Sequence, residues 1–394
     1  MRAVILIRNG KILTMAGKTY DSGDLLIRDG KISRVDHRIE TAGEEISEVI
    51  DAAGCWVMPG LIESHCHIGI TEEKKGFEGD DCNEMKDPMT PYIRALDAIN
   101  PMDAAFHNAI SSGITSMMVG PGSSNVVGGQ FAFIKANGRC IDDMVVLAPA
   151  AMKAGFGENP KRNYNDMDML PTTRMTIAAM LREELFNAKL YQQKKEKSEK
   201  NGEEFEPDFK VESWIPVLRK EIPIKAHVHR ADDILTAVRI AKEFDVDLTL
   251  DHCTEGHLIA DEVKASGFPA IVGPTLASRN KIEVQYMDFK TPGILQQHGI
   301  KVSICTDHPV SRIQYLPLCA GLAAKEGLGI EEGLKAITIN AAEICRVSRR
   351  VGSLEEGKDA DVAIFSGNPM EIFTKTLFTI INGEVVYRAE EQNK

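Results

Sequence analysis

Two histidines, His65 and His67, stand two residues apart just after the turn signal Pro59-Gly60 and a short apolar run. In a β-strand, residues two apart point to the same face, so both imidazoles would reach one site. Imidazoles held in this way are ligands for zinc-class ions, which need two or three further ligands. Taken alone, such a pair is more often two polar residues at a strand end, so the rest of the chain must supply the partners.

Further candidates stand at the ends of other apolar runs. His227 and His229 end the run 222–226, His252 ends the run 248–251, and Asp307 ends the run 302–306. Each one alone also fits a structural role, as a core histidine, a strand cap or a helix N-cap. Side chains at the carboxyl ends of barrel strands converge on one mouth, however, and together these form a nitrogen and oxygen ligand set for zinc, manganese or iron.

The elements that would position these residues follow two patterns. Residues 1–58 and 352–394 consist of short β-branched runs separated by Asn-Gly and Asp-Gly turns, which predicts antiparallel hairpins. Residues 59–351 alternate apolar runs with helical segments, which predicts an α/β fold, a (β/α)8 TIM-like barrel. We expect both ends of the chain to build one small β-sandwich domain beside this catalytic barrel. Residues 207–211 are the candidate for the fourth strand of the barrel. A doubly wound sheet is the alternative, but it lacks support from a Gly-rich phosphate loop.

Composition limits the partners of the protein. The net charge is −12 and no Lys/Arg block lies along one face, which argues against binding to nucleic acid or anionic membranes. The eight cysteines are scattered without a Cys-x-x-Cys motif, which is typical of reduced thiols. No apolar run approaches the ~18 residues of a membrane span, and the start of the sequence does not read as a secretion signal. We therefore expect a cytoplasmic protein that acts on a small molecule, as a homo-oligomer.

Five segments resemble the amidohydrolase superfamily, and most closely its imidazolonepropionase-like and Xaa-Pro or Xaa-Arg dipeptidase-like branch. They are Pro-Gly-Leu-Ile-Glu-Ser-His-Cys-His at 59–67, Ala-His-Val-His at 226–229, Asp251-His252, Thr306-Asp307 and the closing segment 351–361. The resemblance covers nearly the whole chain. It implies that His65, His67, His227 and Asp307 bind metal, and that His252 either binds a second ion or donates a hydrogen bond to the substrate.

The resemblance leaves the number of ions open. Two-metal members bridge their ions with a carboxylated lysine or a glutamate from the third or fourth strand, and Lys153, Glu158 and Lys210 are candidates here. We therefore expect one or two ions of zinc, manganese or iron.

Four residues are candidates for binding the substrate. His229 and Arg230 follow the histidine ligand segment, Arg279 stands in a later loop, and Gln130 follows the second strand. Lys135 near Gln130, and Lys281 near Arg279, are further possibilities. For each of these residues a surface or packing role is an open alternative.

The implied reaction is hydrolysis of an amide, cyclic amide or peptide-like carbon–nitrogen bond by a metal-activated water. Asp307 would take the proton of that water and pass it to the leaving nitrogen, while His252 would help to polarise the carbonyl. One alternative is hydrolytic deamination of a ring carbon at the same site. An alternative of another class is a catalytically silent barrel that serves as a binding or scaffold module.

Overall fold

The computed structural model describes residues 3–41, 45–73 and 76–390, and its strands form two sheets. The strands, in chain order, are β1 (Ile5–Leu13), β2 (Thr19–Arg28), β3 (Lys31–Asp36), β4 (Glu48–Asp51), β5 (Trp56–Pro59), β6 (Leu61–Cys66), β7 (Ile114–Val119), β8 (Val127–Lys135), β9 (Val145–Gly155), β10 (Ile224–Val228), β11 (Leu248–His252), β12 (Ala270–Val272), β13 (Val302–Ile304), β14 (Val362–Phe365), β15 (Thr376–Ile381) and β16 (Glu384–Arg388). The helices are α1 (Ala104–Ile110), α2 (Ile141–Met144), α3 (Glu158–Asn165), α4 (Arg174–Asn201), α5 (Phe209–Glu212), α6 (Ile215–Leu218), α7 (Ala231–Phe244), α8 (Ala260–Ser266), α9 (Thr291–Gln297), α10 (Leu316–Ala323), α11 (Ile330–Ala336) and α12 (Ile339–Ile344).

One sheet takes strands from both ends of the chain. It runs in the order β16-β15-β14-β5-β1-β2-β3, with β4 beside β1, and β5 pairs antiparallel with β14. The fold is therefore a barrel with a small β-domain built from both termini, as the hairpin pattern predicted. The division after residues 58 and 351 stays a prediction, and residues 1–2, 42–44 and 391–394 of the predicted small domain lie outside the described part of the chain.

The second sheet is the barrel, with strands in the order β13-β12-β11-β10-β9-β8-β7-β6. Its first and last strands approach each other, and the Oγ atoms of Ser64 and Ser303 lie 2.9 Å apart. The barrel is thus nearly closed. The carboxyl ends of its parallel strands meet at one mouth, where a barrel enzyme places its chemistry.

One barrel strand, β8, runs against the others and pairs antiparallel with both β7 and β9. Only residues 120–126 connect β7 to β8, whereas a crossover between parallel strands needs a dozen or more residues. Gln130 and Lys135, expected to follow the second strand as candidates for binding the substrate, therefore belong to a barrel strand of their own. Because β8 is reversed, its amino end lies at the mouth and Lys135 lies at the opposite end of the barrel, so Lys135 does not reach the mouth.

The fourth barrel strand in chain order is β9, so the predicted strand at 207–211 is also wrong. The segment instead begins helix α5 after Asp208, whose carboxylate accepts hydrogen bonds from the backbone N–H groups of Lys210 at 2.9 Å and Val211 at 3.1 Å. A capping aspartate of this kind satisfies the first amides of a helix and favours it over a strand.

The longest helix, α4, spans 28 residues between the capping Thr173 and Gly202, which has left-handed backbone angles. Its first half buries apolar residues such as Leu181 and Leu185 against the barrel core. Its second half is charged and largely open to solvent. Among the described residues, no helix combines the length and the apolar character needed to cross a bilayer.

A buried ion-pair cluster joins the barrel to the terminal sheet. The ammonium of Lys135 lies 2.6 Å from Asp361 Oδ2 and 3.0 Å from Asp359 Oδ2. Asp359 also accepts from Lys31 at 2.6 Å and from Arg350 at 2.8 Å. Because a buried charge is tolerated only when it is paired, this cluster fixes the end of β8 against the segment before β14.

Candidate metal centre at the barrel mouth

Parallel strands carry the predicted ligands to one place. His65 lies in β6 with His67 just after it, His227 lies in β10 with His229 just after it, and His252 ends β11. The neighbouring register of β10 and β11 pairs Val228 with His252, so these two strands end side by side. All five imidazoles are buried, with at most 8% of each residue exposed. Convergence at strand ends is therefore what the structure shows.

The first group of converging ligands, here the first triad, is His65, His67 and Asp307. Their ligand atoms all lie within 4.8 Å of one another. His67 Nε2 is 3.1 Å and His65 Nε2 is 3.5 Å from Asp307 Oδ1. Two nitrogens and one carboxylate oxygen at these separations suit a single small cation.

The second triad is His227, His229 and His252, whose ligand atoms also lie within 4.8 Å of one another. The ring centroids of His227 and His252 are 4.5 Å apart, and the rings of His229 and His252 stack with centroids 4.7 Å apart. His229, which was expected to bind substrate, is therefore placed among the possible metal ligands.

Backbone carbonyls orient two of the imidazoles. Gly120 O lies 2.7 Å from His67 Nδ1, and Gly273 O lies 2.6 Å from His252 Nδ1. A carbonyl only accepts, so Nδ1 carries the proton and the Nε2 lone pair of the neutral ring faces the site. A side chain at Gly273 would place its Cβ 2.1 Å from Cys305 O, so only glycine permits this close approach.

The residues present fit a cation. With its Nδ1 proton committed to Gly120, neutral His67 turns the Nε2 lone pair toward Asp307 Oδ1, a buried acceptor without a hydrogen-bond partner among the described residues. In the chain alone, burial lowers the pKa of His67, but Cys82 and Asp307 outweigh burial and raise this pKa to about 10. A positive charge, whether a proton or a metal ion, is therefore stabilised between these two side chains.

The other imidazoles favour the neutral form that binds metal. Burial and neighbouring positive groups lower the pKa of His65, His227 and His252 well below the ordinary value. Burial likewise lowers the pKa of His229 to about 4. Burial raises the pKa of Asp307, yet His252 and His67 outweigh it and the net pKa is lowered. At neutral pH these four imidazoles are thus neutral and Asp307 is ionised, while His67 carries a proton that a bound cation would displace.

The backbone turns sharply where the ligands stand. His252, Cys253 and Asp307 have φ values of 68°, 45° and 53°, in the left-handed region that non-glycine residues rarely adopt. Such backbone persists only where the surroundings hold it in place, and it is enriched at functional sites.

Of the three candidates for a bridging ligand, the structure brings only Lys153 to the triads. It lies on β9, is 1% exposed, and its Nζ is 3.4 Å from His65 Nε2. The carboxylate of Glu158 pairs with Arg162 at 3.0 Å instead. Lys210 lies on α5 with 39% of its side chain exposed, and its nearest acidic group is Asp87 at 3.8 Å, so its assignment as a bridge is wrong.

Three predicted substrate-binding residues do not reach the triads. The Nε and Nη2 groups of Arg230 donate to the carboxylate of Asp232, at 2.9 and 3.0 Å. Arg279 is exposed and donates to Met287 O at 2.7 Å. Gln130 lies on the outer side of β8, beside the segment that contains Met89 and Pro91, and donates to Pro91 O at 3.2 Å. The next residue, Phe131, faces His65 instead. Alternate strand residues point to opposite faces, which places Gln130 away from the metal side.

Several residues beside the triads were missed from the sequence. Asp251 contacts His65, and Glu283 lies 3.8 Å from the Nε2 atoms of both His227 and His229. Cys82 lies close to His67. Burial raises the pKa of the Cys82 thiol, but His67 outweighs burial and the net pKa is lowered. Asp251 could have been identified from the sequence, because it directly precedes the candidate ligand His252. Cys82 and Glu283 lie in long loops that carry no periodic pattern.

Comparisons with known proteins agree with this geometry. A model of the amidohydrolase family matches residues 219–386. Amidohydrolase tasK of Hapsidospora irregularis is 27% identical, over 92% of this chain and 39% of its own length. An imidazolonepropionase of Methylobacterium sp. (strain 4-46) is 24% identical, over 96% of this chain and 98% of its own length.

A solved structure also matches the chain over nearly its whole length. The crystal structure of an amidohydrolase from Thermotoga maritima MSB8 superposes with a TM-score of 0.94 and 39% identity, covering 98% of this chain and 100% of that one. The chain thus spans about two fifths of tasK but the full length of the Thermotoga protein. With this identity over a whole relative, and with the family match across its second half, the chain belongs to the amidohydrolase family of hydrolases that act on carbon–nitrogen bonds.

Proposed function

We propose that the protein hydrolyses a carbon–nitrogen bond in an amide, cyclic amide or peptide-like substrate, with metal ions held at the barrel mouth. The observation that carries this proposal is the adjacency of the two triads. The ring centroid of His252 lies 5.2 Å from that of His65 in the first triad and 4.5 Å from that of His227 in the second. Two buried ligand sets side by side serve no packing purpose, but they suit a two-ion hydrolytic centre.

His65, His67 and Asp307 would hold the first ion, and His227 and His252 the second. We assign the bridge to Lys153, because burial lowers the pKa of its amine and so favours the neutral form that can take up carbon dioxide. Zinc, manganese and iron all suit these nitrogen and oxygen ligands. Such ions, when bound, lower the pKa of a coordinated water to about 7 and polarise a substrate carbonyl.

Asp307 would move the proton. Its pKa is lowered, so the carboxylate is ionised at neutral pH and can accept a proton at an oxygen that faces His67 and His65. The same group can then deliver that proton to the leaving nitrogen.

His252 is better suited to hold metal than to donate a hydrogen bond. Its Nδ1 proton is committed to Gly273 O, so the neutral ring has no proton on Nε2. His229 is oriented in a similar way, with Nδ1 2.7 Å from Thr254 Oγ1. Its Nε2 is thus left to face either the second ion or the substrate.

Elemental analysis and a substrate panel test the proposal. We expect one to two equivalents of zinc, manganese or iron per chain, and metal-dependent turnover of at least one member of a panel of cyclic amides, acylated amino acids and dipeptides. Chelation should abolish turnover and readdition of metal should restore it, while His65→Ala should bind less metal. A protein that binds no transition metal, and whose thermal stability no metal ion changes, would contradict the proposal.

The leaving group separates this function from its nearest rival. Release of an amine or a carboxylate indicates hydrolysis of an amide-type bond, whereas release of ammonia from a ring substrate indicates deamination. A scaffold protein would bind ligands without turnover at any metal loading.

We also propose that the protein works in the cytoplasm. Six of the eight cysteines are buried as free thiols, which is typical of a reducing compartment. The expected homo-oligomer stays a prediction, which size-exclusion chromatography with light scattering can test.

A further inference from the structure

Three polar side chains, here called the lysine cluster, lie on the outer side of the second triad. They are Asn159, Lys281 and Glu283. The ammonium of Lys281 donates to Asn159 Oδ1 at 2.7 Å and to Glu283 Oε1 at 2.9 Å. The same oxygen of Glu283 lies 3.8 Å from the Nε2 atoms of His227 and His229. A single carboxylate oxygen thus separates the ammonium from the candidate metal ligands.

The cluster is rigid. Asn159 donates from Nδ2 to Ser123 Oγ at 2.8 Å, and Glu283 accepts from the backbone N–H of Glu158 at 2.9 Å through its other oxygen. Glu283 is 1% exposed, so its charge is buried and needs the lysine as its partner. The side chain of Lys281 is therefore held in one conformation by its two partners.

The ammonium of Lys281 also has one N–H group for which the described residues supply no acceptor. Among the described residues two acceptors account for two of its three N–H groups, and 23% of its side chain is exposed. A cation that is fixed by two partners, and still open to solvent on one side, can bind an anion without reorganising.

The other cations near the mouth are committed elsewhere. Arg230 forms a two-bond ion pair with Asp232 through Nε and Nη2, and Arg279 is exposed and bound to a backbone carbonyl. Lys153 and Lys225 are each 1% exposed and lie beneath the imidazoles. Of these cations, Lys281 combines exposure to solvent with proximity to the second triad.

We propose that Lys281 binds a carboxylate of the substrate, so that the enzyme prefers acids over the matching neutral amides. This inference rests on the proposed hydrolysis of a carbon–nitrogen bond. In an acylated amino acid, standard bond lengths place the carboxylate carbon about 3–4 Å from the scissile carbonyl carbon. Lys281 stands one contact beyond the second triad, since Glu283 Oε1 lies 3.8 Å from His227 Nε2 and 2.9 Å from the Lys281 ammonium. The substrate class is therefore acylated amino acids, dipeptides or ring amides that carry a free carboxylate.

Matched ligand pairs test this inference. Binding and turnover are measured on metal-loaded protein with N-acetyl-L-leucine against N-acetyl-L-leucinamide, L-leucyl-L-leucine against its amide, and 5-oxoproline against its amide. We expect at least one acid to bind about tenfold or more tightly than its amide, the scale of a charge-assisted hydrogen bond. Lys281→Met should remove that preference, appearing as a higher Kd and KM for the acid with the amide unchanged.

Two further variants test whether a lost acid preference reflects the missing ammonium or only a disturbed fold. Lys281→Met combined with Glu283→Gln leaves no unpaired buried carboxylate and should lose the acid preference in the same way. Lys335→Met is the matched control, since Lys335 also contacts two carboxylates, Glu331 and Glu332, but both of these partners lie on its own helix, α11. It should leave the preference intact.

The outcomes separate the two proposals. An acid preference that survives both Lys281 variants, or no acid preference in the wild-type protein for any pair, overturns the role of Lys281. If the acids bind preferentially through Lys281 but no pair is hydrolysed at full metal content, the carboxylate site stands and the proposed hydrolysis fails. Metal content is measured for every variant, and it should not change.

Discussion

The Oδ2 atom of Asp251 lies 3.0 Å from the Nδ1 atom of His65, and neither side chain is exposed. The other oxygen of Asp251 is held by Lys225 at 3.2 Å and by Thr249 Oγ1 at 2.9 Å. An anionic group beside Nδ1 favours the tautomer of His65 that carries its proton on Nδ1, which leaves the Nε2 lone pair facing Asp307. Carboxylates that hold a ligand imidazole in this way tune metal affinity.

Asp251→Asn should therefore weaken metal binding while leaving the fold in place. We expect a loss of affinity of about 10–100-fold, because the amide holds the imidazole less firmly and lowers its basicity. Competition with a chromogenic chelator measures the change. Asp245→Asn is a suitable control, since Asp245 pairs with Lys220 on the surface. Equal affinity in the wild type and in Asp251→Asn would mean that packing alone orients His65.

Asp307→Asn should keep the fold and most of the metal but lose nearly all turnover. Asparagine preserves shape and one oxygen ligand, yet it cannot take a proton, and general base catalysis supplies about 10²–10⁴-fold in rate. His65→Ala, by contrast, should lose metal first and activity as a consequence. Metal content measured beside kcat distinguishes the two variants. An Asp307→Asn protein that retains metal and turns over within a few-fold of wild type would assign the base to another residue.

Lys135→Met should destabilise the whole protein although it lies far from the mouth. Removing the lysine leaves Asp359 and Asp361 buried without their shared partner, and breaking a buried pair in this way costs about 3–5 kcal/mol. Urea unfolding at pH 7 measures the loss. Lys31→Met serves as control, because Lys31 contacts the same Asp359 but half of its side chain is exposed. Exposed pairs contribute about 1 kcal/mol or less, so similar losses in both variants would refute the special role of the buried lysine.

The same cluster predicts the response to acid. Burial raises the pKa of Asp359, but Lys135 and the other donors outweigh it and hold this pKa at about 2, below the ordinary value of 3.8. A depressed folded-state pKa gives stability that is present above the unfolded-state pKa and is lost as the pH falls through the folded value. The free energy of unfolding should therefore fall between about pH 4 and pH 2. Asp359→Asn should make this fall shallower, and an unchanged slope would show that other carboxylates dominate.

The ligand positions were predictable because each ends an apolar run. His65, His227, His252 and Asp307 needed only the rule that barrel chemistry gathers at the carboxyl ends of strands. The two-segment terminal sheet was predictable for a similar reason, since Asn-Gly and Asp-Gly turns fix hairpins locally.

What could not be predicted depends on contacts between distant segments. Strand β8 was missed because glycines begin it and because its direction follows from a short connection rather than from its own residues. Lys153 could not be chosen over Lys210 until the strands were placed, since only the tertiary structure shows which lysine lies beside the imidazoles. Glu283 lies in the loop after β12 and Asn159 in the first turn of α3, and only the tertiary structure brings them beside His227 and His229.

The reversed direction of β8 determines which of its two flanking connections can accept an insertion without disturbing the barrel mouth. In an all-parallel barrel the segment after the third strand opens onto the mouth, but here residues 136–144 turn at the opposite end, and several of them are exposed. The connection before β8, residues 120–126, stands at the mouth instead and includes Gly120, whose carbonyl holds His67. A peptide tag or a fusion partner inserted near residue 138 should thus be accommodated without altering the ligands, whereas the same insertion near residue 122 would displace them.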